Sequence, residues 1–299
     1  MNRYAVIDLG SNTFHLLISD VNNQGILSEV YRQRSFTFLS DGGIDSIQEH
    51  RIVHGLKVLE SFKQEINHHK PIQLRVIGTA VLRSASNRME FIRPAEKILG
   101  VPIEIIDGNT EADYIYKGIT ISKELNQDQH LIMDVGGGST EFILIQDGKK
   151  IIAESFKLGV GVLHAMFHKN DPIQPAEIEA ISLFIQETLS PFLDQIRKIR
   201  IKSLVGASGS FEILESMRMR NVSTSKVSEV RLQEFDALYD KIITSCEAER
   251  LKMPGLPKER VQLILVGMIL KKVVLDLFKP QIILVSPYSL KEGILREMV

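Results

Sequence analysis

The chain has 299 residues, 44% hydrophobic and 24% charged, the proportions of an ordinary folded protein, which exclude the fibrous and disordered classes. Its 36 Lys and Arg nearly balance 37 Asp and Glu; a formal net charge of -1 sets up no global field for nucleic acid or an anionic membrane, and neither is expected as a partner. One cysteine, Cys246, excludes an internal disulfide scaffold or a cysteine zinc ribbon and fits a reducing cytoplasm.

The first predicted elements are strand, loop and strand from Tyr4 to Ile18, where an apolar run reaches Asp8-Leu9-Gly10-Ser11-Asn12-Thr13 and a second apolar run follows. Asp8 interrupts the stretch that a signal peptide would need as its core, so no export segment is expected. Asn22-Asn23-Gln24-Gly25 reads as a turn into a third strand, Ile26 to Phe36. Between Gln48 and Ile66, the residues Ile52, Val53, Leu56, Leu59, Phe62 and Ile66 recur at helical spacing. A strand at Leu74 to Ile77 follows, then a polar stretch from Arg83 to Asn87, a helix over 90–98 stopped by Gly100, and a strand from Ile103 to Ile106. Asp107 to Thr110 leads into a helix carrying Glu111, Ala112, Tyr114 and Ile115.

The second half replays this order. Leu131 to Ile145 reads as two strands around a glycine loop, Asp147-Gly148 turns the chain, and Ile151 to Phe156 forms a third strand. Pro175 to Ile199 is a long helix with Glu177 and Glu179 in its first turn, where the helix dipole favours acids. A strand at Leu204-Val205 runs into Gly206 to Ser210; helices are expected over 231–246 and 258–278, then a strand at Ile282 to Val285 and a closing helix from Ser289. The apolar run from Leu263 to Leu270 ends at Lys271-Lys272, far short of the roughly 20 residues that span a bilayer. The polar run Ser122 to Gln129 marks a boundary, dividing the chain into 1–123 and 124–299, with the last helix expected to pack back on the first domain.

The central stretch is Asp134-Val135-Gly136-Gly137-Gly138-Ser139-Thr140-Glu141, between two apolar runs. Such a loop is either a phosphate cradle of converging amides or a hairpin with a glycine-rich turn. The N-terminal Asp-x-Gly loop repeats its design, which implies two similar domains gripping a phosphate-bearing ligand in the cleft between them. Asp134, with Asp8 across the cleft, suits Mg²⁺, a cation usually held by one or two carboxylates plus phosphate oxygens. Either aspartate also suits capping of its own loop. Glu141 either completes the metal shell or is a solvated strand residue. Ser11, Asn12 and Thr13 suit one phosphate, and Gly136, Gly137, Gly138, Ser139 and Thr140 another. Arg83 offers a planar fork for bidentate phosphate binding, and Ser208 and Gly209 suit a second phosphate or a nucleotide-like leaving group. His164 and His168 have the spacing of a helical metal pair, but no third ligand accompanies them, and they are read as structural or surface groups. His68-His69 and the basic run Arg197, Lys198, Arg200 and Lys202 read as solvated helix ends, and Cys246 as inert packing in a helix.

These motifs together resemble the exopolyphosphatase and guanosine pentaphosphate phosphatase family, a branch of the actin, hsp70 and sugar kinase (ribonuclease H-like) fold. Asp8 to Thr13 and Asp134 to Glu141 are similar to its two phosphate loops; Thr79 to Asn87, Asp107 to Ala112, Gly206 to Ser210, Gly255 to Arg260 and Tyr288 to Gly293 match further segments. The resemblance implies a duplicated α/β fold, a homodimer, and Glu111 as the residue that orients and deprotonates water. It also implies Mg²⁺-dependent release of orthophosphate from polyphosphate, or conversion of guanosine pentaphosphate to the tetraphosphate. Two departures stand out: Phe38 lies where the family commonly has a basic residue, and an arginine is missing near Val162. Longer members append a helical region resembling HD-type domains, and its absence from 299 residues sets an expectation of shorter chains as substrate. A phosphotransferase and a non-enzymatic alarmone sensor are the competing readings.

Overall fold

The computed structural model describes residues 1–22, 26–122, 125, 127–218 and 226–299. Most of the expected turn, Asn23-Gln24-Gly25, and positions 123, 124 and 126 of the boundary run lie outside the described residues.

Two sheets are built on one plan. In the first, β1 (Asn2–Leu9), β2 (Thr13–Val21) and β3 (Leu27–Phe36) form an antiparallel meander, and β4 (Gln73–Gly78) and β5 (Ile103–Ile105) add in parallel, giving the order β3-β2-β1-β4-β5. In the second, β6 (Gln129–Val135), β7 (Thr140–Gln146) and β8 (Lys149–Phe156) form the meander. There β9 (Ser203–Ala207) and β11 (Ile282–Val285) add in parallel, and a short antiparallel edge strand, β10 (Ser228–Val230), closes the order β10-β11-β9-β6-β7-β8. The central strands are covered on both faces, so β1 and β6 read as continuous apolar runs: Ala5, Val6 and Ile7, and Leu131, Ile132 and Met133, are all fully buried.

Helices divide the apolar surface into three cores. On the outer face of the first sheet lie α1 (Glu49–His69) and α3 (Arg88–Leu99), burying Leu59, Phe62 and Phe91 against Ile7 and Leu16. Both helices stop at a left-handed residue, Lys70 (φ 50°) and Gly100 (φ 77°), whose N–H closes the last turn. On the outer face of the second sheet lie α6 (Pro175–Ile196), α8 (Leu232–Ile243) and α10 (Ile264–Phe278). Helix α10 is buried nearly all round, which is why its sequence lacks a polar face.

The third core lies between the sheets. Helices α4 (Gly108–Ile119) and α11 (Leu290–Glu297) pack there on Val6, Leu17 and Ile77 of the first sheet and Ile132, Ile143 and Val205 of the second. They cross at glycines: a Cβ at Gly293 would stand 1.8 Å from the Tyr114 carbonyl oxygen, and one at Gly118 2.0 Å from that of Ser289. Each sheet therefore shares its inner face with a helix from the other half of the chain.

Several boundaries differ from the sequence expectation. The helix expected over 258–278 is a 3-10 turn, Lys258–Arg260, set by Pro257, with α10 starting at Ile264. Helix α6 ends at Ile196. Cys246 is not inside a helix; half-buried, it caps the short α9 (Glu247–Arg250). Short helices not foreseen are α2 (Ala80–Ser84), α5 (Val160–Phe167) and α7 (Gly209–Arg218). Among the described residues no helix is long and apolar enough to cross a membrane.

Candidate active site

The two hairpin loops face each other across a cleft of about 1080 Å³. In the first, between β1 and β2, the chain is tied down by its own side of the molecule. Asn12 O accepts from the amides of Thr37 (2.9 Å) and Phe38 (3.1 Å), and Ser11 O accepts from the Ser40 amide (3.0 Å). Ser40 Oγ donates to Asn12 Oδ1 (2.7 Å), and the Val81 amide donates to Ser11 Oγ (3.2 Å), leaving that hydroxyl its proton for a ligand.

The second loop, between β6 and β7, rests against the first. None of Gly136, Gly137 and Gly138 has φ in the left-handed region; their need is for space. A Cβ at Gly137 would lie 2.6 Å from Asn12 Nδ2, and one at Gly138 2.8 Å from Ala80 Cβ. The loop is fastened from behind by α5, where the amides of Val160 and Gly161 donate to the carbonyls of Gly136 (3.0 Å) and Gly137 (2.8 Å).

Six carboxylates line this cleft, among them Asp8, Glu111, Asp134 and Glu141. Asp8 is the last residue but one of β1, and Asp134 the last but one of β6, directly opposite Glu141 on β7. Glu111 projects from the first turn of α4, whose start is fixed by Asp107: its carboxylate accepts from the Thr110 amide at 2.7 Å. Burial is the main cause of a raised pKa in these four, and repulsion from neighbouring carboxylates, Glu212 and Glu292 in the case of Asp134, adds to it. Asp8 and Glu141 rise to about 7, and Glu111 lies well above its ordinary value, moderated by the Arg83 charge. Ser155 Oγ donates to Glu141 Oε1 (2.7 Å). Such a cluster of desolvated, mutually repelling oxygens fits a divalent cation. Among the described residues no three His, Cys, Asp or Glu side chains enclose a metal by themselves, so phosphate oxygens and water would complete the shell of a Mg²⁺ held by Asp134 with Asp8 or Glu141.

Two expected phosphate ligands have protein partners in this structure. Arg83 stands beside the cleft, its Nη1 donating to the Ile106 carbonyl (2.5 Å) and to Glu111 Oε2 (3.3 Å). The Thr140 side chain is fully buried, its hydroxyl donating to the Leu158 carbonyl (2.8 Å), because Thr140 points to the opposite face of β7 from Glu141. The remaining expected ligands, Ser11, Asn12, Thr13, Gly136 to Ser139, Ser208 and Gly209, all line the cleft. His164 and His168 meet edge to face, ring centroids 4.8 Å apart, at the end of α5.

The sequence reading gave no role to the cleft's cations. Lys291 and Arg260 both line it, and both sit in segments already singled out as motifs, which was the available signal. Their effect is felt by His15, opposite Asp8 on β2: burial first, then the charges of Lys291, Arg34, Arg260 and Arg32, hold its imidazole well below the usual range and therefore neutral. Arg34 and Glu212 form an ion pair from β3 to α7, and Arg32 Nη2 pairs with the buried Glu292 of α11 at 2.9 Å, so the cleft is bridged by charge as well as by apolar packing.

Comparison with known proteins bears on this arrangement. The putative exopolyphosphatase of Haemophilus influenzae is 28% identical over 293 residues, 97% of this chain and 90% of that protein. A guanosine-5'-triphosphate,3'-diphosphate pyrophosphatase of Vibrio vulnificus is 27% identical over 99% of this chain, which spans 59% of that protein's length. Among solved structures, an exopolyphosphatase from Cytophaga hutchinsonii matches with a TM-score of 0.94 and 31% identity over 99% of this chain and 97% of the other. An Aquifex aeolicus member of the Ppx/GppA family matches with a TM-score of 0.81 and 25% identity, again over 99% and 97%. The fold is that of the actin-like ATPases, as the repeated meanders imply. A model of the Ppx/GppA phosphatase family matches residues 17–299, and the chain belongs to that family of phosphoanhydride-hydrolysing enzymes.

Proposed function

We propose that the protein removes the terminal phosphate of inorganic polyphosphate by Mg²⁺-dependent hydrolysis, releasing orthophosphate. The observation that carries this reading is the position of the Arg83-paired Glu111 on the same cleft as two abutting phosphate loops. In it, Ser11, Asn12, Ser139 and the glycine amides clamp the terminal phosphoryl group. Glu111 holds a water in line with the phosphorus and takes its proton as the new P–O bond forms and the bridging P–O bond breaks, the leaving oxygen staying with the shortened chain. Bound Mg²⁺ would neutralise charge on the transferred group. Burial, and then the Glu141 charge, raise the Glu111 pKa, which makes its carboxylate a stronger base than an exposed one.

A preference for short chains is supported by the cavity of about 840 Å³ that adjoins the cleft past Asn12 and Phe38. Its charged walls are Asp41, Glu247 and Glu259 against Arg51 and Lys258, which offers a long polyanion no cationic track. A second reading, guanosine pentaphosphate as substrate, is favoured by the aromatic pair at the mouth: Phe36 and Phe38 stack at 5.9 Å, with Arg260 and Arg51 each 5.4 Å from the centroid of one ring. Flat cations and rings of this kind suit a nucleobase. A homodimer and a cytoplasmic location go with the same family reading.

The test is phosphate release by the purified protein with Mg²⁺ from polyphosphates of graded length and from guanosine pentaphosphate. Fastest turnover on short polyphosphate is the expected result. Faster turnover of guanosine pentaphosphate selects the second reading, and no turnover on either overturns both.

A further inference from the structure

We propose that Lys271 is a positioning residue for substrate phosphate: through Ser210 it fixes the first turn of α7 and lends positive charge to an anion bound against that turn. The proposal rests on reading the cleft as a polyphosphate site. Lys271 lies in α10, fully buried and behind the cleft wall. Its Nζ donates to Ser210 Oγ at 2.6 Å and to the Gly267 carbonyl at 3.2 Å, and lies 4.9 Å from the centroid of the Phe211 ring. Among the described residues no carboxylate is within ion-pairing distance of it.

A buried ammonium without a counter-charge is expensive, and an apolar side chain of similar length would serve α10 better as packing. Burial, and then the Arg260 charge, push Lys271 down to about 7, because the folded protein alone does not compensate an ammonium there; a bound anion would favour the charged form. The missing charge has a place to arrive. Ser208, Gly209, Ser210 and Gly267 all line the cleft, and Arg260 stands so close that a side chain at Gly209 would strike its guanidinium. Because Ser210 Oγ accepts from Lys271, its own proton is free to be donated to a ligand oxygen in the cleft. The amide end of α7, the Ser210 hydroxyl, Arg260 and the field of Lys271 then converge on one phosphate.

The test uses the full chain and inorganic tripolyphosphate. Affinity is measured by calorimetry without divalent metal, KM and kcat by phosphate release with Mg²⁺, and stability by thermal melting, for Lys271→Met and Ser210→Ala. Lys271→Met is expected to weaken tripolyphosphate binding about tenfold and to raise KM by more than it lowers kcat, while Tm stays level or rises because a buried charge has been removed. Ser210→Ala is expected to reproduce most of the loss of affinity, and decides the matter if the methionine variant does not fold. Unchanged affinity in both variants, a Tm drop with affinity retained, or no tripolyphosphate binding by the wild type overturns the proposal. Binding that depends on Lys271 in a wild type that releases no phosphate leaves the proposal standing and removes the hydrolase reading.

Discussion

The loops at 10–12 and 136–139 close the same kind of hairpin on the same kind of sheet, and they have specialised in opposite directions. The first keeps side chains, Ser11 and Asn12, held by Val81 and Ser40, and its backbone carbonyls are tied to its own lobe by the amides of Thr37, Phe38 and Ser40. The second has given side chains up, because its glycines must lie against Ser11, Asn12 and Ala80 of the first. Charge divides differently. Asp8, Glu111 and Arg83 come from the first half of the chain; Asp134, Glu141, Arg260 and Lys291 come from the second. A duplicated unit builds one asymmetric cleft when one copy supplies Glu111 with its Arg83 partner and the other supplies close-approaching backbone and the cations Arg260 and Lys291.

The sharpest way to break this division is at Glu111. Glu111→Gln keeps the shape and removes the base, so phosphate release should fall about 10²–10⁴-fold while calorimetric affinity for tripolyphosphate holds. Equal rates would take the reaction away from the first half of the chain. Next in size is Gly137→Ala, whose added methyl would push the second loop off Asn12; a displacement of that order costs roughly 10²-fold in kcat/KM with little change in melting temperature.

The remaining effects are on stability. Gly293→Ala places a methyl against the Tyr114 carbonyl and should destabilise the protein by about 1–3 kcal/mol, read as a lowered urea midpoint. The smallest effect belongs to a site with no counterpart in the first lobe, the capping glutamate of α6. Burial opposes the charge on Glu177, but donation from the amides of Gln174, Lys169 and Asn170 outweighs it and lowers the pKa from 4.5 to about 2. A carboxylate held below its unfolded value contributes stability that is complete above about pH 4.5 and is lost as pH falls through about 2. The Tm deficit of Glu177→Gln should therefore be largest near neutrality and shrink toward pH 2, with kcat unchanged.

Much of this was legible in the chain. Both meanders announce themselves as apolar runs split by an Asp-x-Gly loop, and α1 shows a clear helical period. What was not legible has physical causes. Helix α5 is a short apolar segment wedged between the glycine loop and α10, so it has no polar face to give it a period, and β10 is three residues on an edge. The pairing of Arg83 with Glu111 was hidden because residue type and motif carry no direction; only the packing of α2 on β4 beside α4 turns it onto Glu111. Thr140 misled through strand alternation, which sends neighbours to opposite faces. Lys271 gave no signal beyond ending an apolar run.

The crossing of α4 and α11 at Gly118 and Gly293 has a consequence for how the chain comes apart. Cutting between 123 and 124 would leave the first fragment with a helix, α4, that packs on β7 and β8 of the second sheet, and the second fragment with α11, which packs on β1 of the first. Neither piece would be a finished globule. Mixed together, however, each would carry the plug for the other's open face, so the two halves should reassemble into one body, as reciprocal exchange of an arm joins two protomers.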